Sequence, residues 1–281
     1  MNSSLATTKG TLFIVATPIG NLSDITLRAL ETLKKVDLIL AEDTRCAKKL
    51  LNAYNITSKI TAFHAHNEAK LAAKVIDQIL HGLNVALISD AGTPMIQDPG
   101  FPLVKQAISA SIPIVPIPGA CALITALSAA GINCDRFLYG GFLNPKATAR
   151  SKQLTELKKH ECSVILYEST HRIIATIKAI KAIFGADYSF VIAKELTKAF
   201  ETFIRGVAQD MLNYFAQDSS HIKGEFVILL PPKEDKSNIY NDDVLLKVLL
   251  EDLPLKQAVN IAAKLSETPK NKLYKLALSK V

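Results

Sequence analysis

No run of apolar residues in this 281-residue sequence approaches the roughly 20 that a membrane-crossing helix needs, so no membrane span is expected. Cysteine is scarce as well. Cys46, Cys121, Cys134 and Cys162 show neither the close pairing of a zinc site nor the density of a disulfide scaffold. Reduced thiols in a reducing compartment are the reading that remains. The stretch Met1–Lys9 contains Ser and Thr but no apolar core, so a secretory signal is not expected and the cytoplasm is the expected location. What is present is a hydrophobic fraction of 49%, which marks a globular chain long enough for two domains with cores of their own. The net charge of +7 is a mild basic excess that favours a polyanionic partner without requiring one.

From Gly10 to Ala130 strand-like and helix-like segments alternate. Leu12–Ala16, Leu38–Ala41, Lys59–Ala62, Val85–Ile88 and Ile114–Ile117 read as strands. Between them fall helices over Thr26–Lys35 (with Ser23 or Asp24 as cap), Thr44–Tyr54, Glu68–His81 and Phe101–Ala110, and another follows over Ala120–Ala130. This alternation predicts an α/β domain over 10–131 with a mostly parallel sheet. A second α/β domain is expected over 137–231. Its strands Tyr188–Ala193 and Thr202–Arg205 follow one another without a helix, which implies a mixed sheet. Pro231-Pro232 and the polar residues up to Asn241 read as a linker. The region 242–281 predicts three short helices, Asp242–Leu253, Leu255–Ser266 and Thr268–Ser279, the third capped by Thr268 with Pro269 at its first position. From Lys256 onward six lysines face a single acid, Glu267. A basic helical appendage of this kind fits either a helix-turn-helix module laid on a phosphate backbone or a solvated cap.

Three strand-end loops stand out. Ser89-Asp90-Ala91-Gly92-Thr93-Pro94 follows Val85–Ile88, Thr17-Pro18-Ile19-Gly20-Asn21 follows Leu12–Ala16, and Pro118-Gly119-Ala120-Cys121 follows Ile114–Ile117. Small residues let a ligand approach the backbone closely, and ligands of open parallel sheets sit at the carboxyl ends of the strands. One small-molecule site built from all three loops is the expectation.

Seven strings, in order along nearly the whole chain, carry a resemblance: GTLFIVATPIGN (10–21), AEDTR (41–45), HAHNE (64–68), SDAGTP (89–94), YESTHR (167–172), KELTK (194–198) and KGEFV (223–227). Together they resemble the tetrapyrrole methylase superfamily of S-adenosylmethionine-dependent, class III methyltransferases, and within it the branch that methylates ribosomal RNA. The corrin-modifying members usually carry a Gly-x-Gly-x-Gly first loop and a Gly-Asp-Pro second loop. The loops here differ, which counts against a tetrapyrrole substrate. The resemblance implies a two-domain fold with a small helical appendage, a homodimer, and S-adenosylmethionine held between the domains. It implies methylation of the ribose 2′-hydroxyl of a decoding-centre cytidine, with 16S rRNA in the small ribosomal subunit as partner.

By the same resemblance the methyl donor would contact Pro18, Ile19 and Gly20, then Asp90, Gly92, Thr93 and Pro94. Further contacts would come from Pro118, Gly119, Ala120, Cys121 and Ala122, with Tyr167 and Glu168 covering the adenine. No metal is required, and His64-x-His66 lacks a third ligand. A 2′-hydroxyl is a weak acid, so a general base or a cation would help, and Glu168, His171 and Lys194 are the leading candidates ahead of Glu195, Asp90 and His66. Arg45, His66, Lys270, Lys272 and Lys275 are the candidate RNA contacts. Each has a plainer reading: Asp90 anchoring its own loop, Glu168 and His171 capping the helix near Ile173, Lys194-Glu195 as a surface ion pair, and His66 starting the helix after it. Arg45 has one too, as a solvated helix residue. Two other functions compete, a small-molecule methyltransferase of the same fold and a non-catalytic ribosome-binding protein.

Overall fold

Val85–Ile88 is buried at all four positions, which requires a sheet covered on both faces. The computed structural model describes residues 9–232, 242–266 and 268–279. The tail before Lys9, the linker beyond Pro232, Glu267 and Lys280 lie outside the described residues. Strands β1 (Leu12–Val15), β2 (Leu38–Ala41), β3 (Lys59–Ala62), β4 (Val85–Ile88) and β5 (Ile114–Ile117) form a parallel sheet ordered β3-β2-β4-β1-β5. Helices α1 (Leu27–Lys35), α2 (Thr44–Ala53), α3 (Glu68–Leu80) and α4 (Phe101–Ser109) connect them. Successive side chains alternate between faces. Leu12, Ile14, Leu38, Leu40, Val85 and Leu87 pack on Val75 and Ile79 of α3 and Leu103 of α4. Val15, Ile39, Ala86 and Ile88 pack on Leu33 of α1 and Leu51 of α2.

Helix α5 (Ala122–Ala130) carries the chain onto a second sheet. That sheet is made of β6 (Phe137–Phe142), β7 (Ser163–Ser169), β8 (Ser189–Lys194), β9 (Thr202–Val207) and β10 (Glu225–Leu230), ordered β6-β7-β10-β8-β9. β6 and β7 run parallel and the other neighbours antiparallel, so the sheet is mixed as expected. Helices α6 (Ala147–Leu157), α7 (Ile173–Phe184) and α8 (Ala208–Gln217) cover the face bearing Val164, Leu166, Ile192 and Ile228. The opposite face, with Ile165, Val191, Ala193, Val227 and Leu229, receives Leu123, Ala126 and Leu127 of α5. Both sheets fall in one compact unit, Met1–Pro232. A second unit, Lys233–Val281, holds α9 (Asp242–Asp252), α10 (Leu255–Leu265) and α11 (Lys270–Leu278) around Leu246, Val259, Ala262 and Leu273.

Three helix starts differ from expectation, α5 among them, which begins at Ala122 rather than Ala120. Ser23 and Asp24 do not cap α1. Asn21 accepts a hydrogen bond from the Ser23 N–H at 3.0 Å and sets a 3₁₀ turn, and Thr26 caps α1 through the Ala29 N–H at 3.1 Å. The last helix begins after Pro269 rather than Thr268, because proline's fixed φ (−55° here) with an extended ψ places it at the boundary.

Candidate active site

The three strand-end loops meet. Thr17 and Gly92 exchange backbone hydrogen bonds of 2.9 and 3.0 Å, the Thr17 hydroxyl donates to the Ser89 carbonyl at 3.1 Å, and the Thr93 hydroxyl donates to the Ala120 carbonyl at 3.1 Å. Gly92 sits at φ +81°, a left-handed conformation that side chains disfavour. A Cβ there would lie 3.2 Å from Ile19 Cγ2.

Behind these loops a cavity of about 530 Å³ opens against the second sheet. Of the candidate donor contacts, Ile19, Gly92, Thr93, Cys121, Ala122, Tyr167 and Glu168 line it, and so does His171. Pro18, Gly20, Asp90, Pro94, Pro118, Gly119 and Ala120 belong to the same loops but are not part of the lining. Tyr167 is committed to structure. Its hydroxyl accepts the Leu123 N–H at 3.1 Å, tying the start of α5 to β7, and burial pushes the phenol up to about 12.

Alternation along β7 decides the fate of Glu168. Tyr167 belongs with Ile165 on the cavity face, so Glu168 falls on the helix-covered face with Leu166. Its carboxylate accepts the Thr176 hydroxyl at 2.6 Å and the Ser169 N–H at 2.8 Å, and pairs with Arg172 Nε at 3.0 Å. That is a buried ion pair whose carboxylate is already engaged. Lys194 shares this orientation. It and Glu168 stand opposite Phe226 on its two sides, and Lys194 is buried but not part of the cavity wall. Glu195 accepts Lys198 Nζ at 2.9 Å and the Glu225 N–H at 3.0 Å. Burial pushes its carboxyl up, but these partners outweigh burial and hold it below its ordinary range. Glu168 and His171 both border the cavity, and of the three leading base candidates only His171 is exposed.

The candidate RNA contacts are spread over both units. Arg45 is 86% exposed and held by Asp43 at 2.7 Å. His66 is exposed, its ring 5.9 Å from that of His64. In the second unit Lys270, Lys272 and Lys275 are all exposed on α11, while Leu273 and Ala277 anchor that helix.

The residue the sequence reading passed over is Asp98. It lies half-buried on the cavity wall, in the neighbourhood of Glu42, Ser89 and Asp90. Burial, then the charges of Glu42 and Asp90, push its carboxyl up to about 7. Glu42 is likewise raised, by burial first and Asp90 second. The loop that delivers Asp98 is strained, with Met95 at φ +70° and Gln97 at +74°. Its signal was the carboxylate in Asp98-Pro99-Gly100, just beyond the second loop. A cation beside Asp98 would restore its charged form, and Leu196 and Val227 offer apolar walls. These features fit a ligand that joins a sulfonium and an ammonium to a flat heterocycle. Among the described residues one group, Asp43, Cys46 and Asp90, brings metal-ligating atoms within 4.8 Å of one another. Asp43 there is already paired with Arg45.

Residues 11–212 match the family model of Tetrapyrrole (Corrin/Porphyrin) Methylases, and residues 242–280 match that of the RsmI C-terminal HTH domain. "Ribosomal RNA small subunit methyltransferase I" of Haemophilus influenzae is 45% identical over 276 residues, covering 96% of this chain and 97% of that protein. The protein of the same name from Escherichia coli O157:H7 is 43% identical over 279 residues, covering 99% and 98%. Among solved structures, a diphthine synthase matches with a TM-score of 0.63 at 14% identity, covering 95% of this chain and 100% of that one. Uroporphyrin-III-C-methyltransferase from Thermus thermophilus matches at 0.56 and 18%, covering 79% and 94%. At such identities these structures speak for the fold alone. The chain belongs to the tetrapyrrole (corrin/porphyrin) methylase family, in the branch of the ribosomal RNA small subunit methyltransferase I proteins.

Proposed function

We propose that this protein methylates the ribose 2′-hydroxyl of a decoding-centre cytidine in 16S rRNA, with S-adenosylmethionine as donor. The observation that carries the reading is the cavity bordered by Asp98 and His171, in a chain whose relatives of near-equal length are named for ribosomal RNA methylation. The donor supplies a methyl group on a positive sulfur. Asp98 would attract the positive end of the donor, and Gly92 and Thr93, which line the same cavity, would hold its remainder. His171 at the rim takes the proton from the 2′-hydroxyl as its oxygen bonds to the methyl carbon and the carbon–sulfur bond breaks toward sulfur. Positioning supplies most of the acceleration, since aligned reactants reach effective molarities of about 10⁵ M or more. The α11 lysines and Arg45 steer the polyanionic particle. A homodimer working in the cytoplasm, implied by the resemblance, belongs to the same reading.

The test uses radiolabelled S-adenosylmethionine and small ribosomal subunits from cells lacking this gene. Label recovered as 2′-O-methylcytidine is the expected result. Label on a base, on another nucleoside, or absent from subunits and free rRNA despite donor binding would overturn the reading.

A further inference from the structure

One wall of the cavity carries a half-exposed aromatic ring. Phe142 is 45% exposed and borders the cavity, whereas Phe190 and Phe226 of the same sheet are buried. Its position depends on an irregularity in β6. Up to Tyr139, which pairs with Ile165, the register with β7 is regular. One residue is then skipped, so that Gly141 pairs with Leu166 and Phe142 with Tyr167. Without this β-bulge Phe142 would stand opposite Glu168, on the face covered by helices. The two glycines make the bulge possible. A Cβ on Gly140 would come within 2.7 Å of Leu166 Cδ2, and Gly141 has φ +64°.

The ring is also braced. Tyr167 meets it edge-on with centroids 5.8 Å apart, and the Arg172 guanidinium lies 5.7 Å from its centroid. Arg172 is itself fixed by Glu168 and by the Leu143 carbonyl at 2.9 Å. A rigid, half-exposed aromatic at the rim of a reaction cavity offers a π face to an unstacked base. A nucleotide that swings out of a stacked RNA strand can bring its ribose 2′-hydroxyl into a recessed cavity.

Resting on the proposed rRNA reaction, we infer that Phe142 is the platform on which the extruded acceptor base stacks while its ribose enters the cavity. Its contact is with the acceptor and not with the donor.

The experiment compares wild type, Phe142→Ala, Phe142→Leu and Phe142→Tyr in the labelled-subunit assay, with donor affinity measured by calorimetry. Phe142→Ala and Phe142→Leu should raise KM for the subunit roughly 5- to 100-fold, the range that base–aromatic stacking supports, with donor Kd unchanged. Phe142→Tyr should restore KM, because it returns the π face, whereas leucine returns only apolar bulk. A leucine variant as good as wild type would reduce Phe142 to a packing residue and overturn the inference. So would a matching loss of donor affinity, which would make the ring part of the donor site. If wild type itself leaves subunits unlabelled, the proposed reaction falls and the inference falls with it. If wild type labels them and all variants match it, only the inference falls.

Discussion

Asp90 accepts a hydrogen bond from the Asp43 backbone N–H at 2.9 Å, so the carboxylate after β4 pins the loop after β2. Asp90 is exposed and stands outside the cavity wall. Asp90→Ala is therefore expected to cost about 1 kcal/mol of stability, the net worth of one hydrogen bond, and to weaken donor binding less than about tenfold. Urea unfolding and calorimetry on the same preparation check this. Complete loss of donor binding with the fold intact would place Asp90 back among the ligand contacts.

Asp98 should behave differently. Its carboxyl titrates near 7 in the free protein, well above the unfolded value, so between those limits the folded chain holds a proton that the unfolded chain has released. Stability from this group therefore declines as pH rises from about 4 to about 7. Asp98→Asn should raise the melting temperature of the ligand-free protein at pH 8 by an amount worth about 1 kcal/mol after allowance for solvent screening, and change it little at pH 4. Donor binding should tighten as pH rises through 7 and release a proton below it. Calorimetry in buffers of different ionisation enthalpy reads that proton directly, and its absence at pH 6 would remove Asp98 from the site.

The candidate proton carriers separate by the direction in which they point. His171→Ala is expected to lower kcat by roughly 10² or more with donor Kd unchanged, while Lys194→Met should leave kcat within a factor of about three. Glu168→Ala should cost about 3 kcal/mol in unfolding, since it removes the buried carboxylate that pairs with Arg172 and accepts the Thr176 hydroxyl. A fast His171→Ala enzyme and a dead but folded Lys194→Met enzyme would reverse the assignment.

Most strands were legible because burial on both sides leaves a near-continuous apolar run, as in Val85–Ile88. The meeting of three loops was legible for a related reason, since parallel strands put their carboxyl ends side by side. That Asp98 would reach the cavity wall was not legible. The backbone turns at Met95 and Gln97, both at positive φ in residues other than glycine, carry Asp98 to the cavity, and no propensity announces them. Glu168 and Lys194 show a different limit. Counting by twos from Tyr167 and Ala193 turns both side chains toward the helix-covered face, although Glu168 still borders the cavity. Phe142 was hidden by a one-residue register shift that only paired strands reveal.

The exposed lysines of α11 make a prediction that salt can test. Replacing Lys270, Lys272 and Lys275 by alanine should weaken subunit binding and flatten the dependence of log K on log salt by about 2, at roughly 0.7 per lost phosphate contact on single-stranded RNA. Filter binding at several potassium concentrations measures both. An unchanged slope would leave these lysines as solvated residues.

β10 is last in the chain among the strands of its sheet, yet it lies between β7 and β8. During translation, β7 with β6 and β8 with β9 must wait as separate pieces, each with an unpaired edge, until Glu225–Leu230 emerges. Val227, which borders the cavity, arrives with it. A partly synthesised copy therefore lacks one wall of the cavity. The cavity is completed in a late step of the chain's own manufacture, and a nascent chain stalled before that strand is an aggregation hazard.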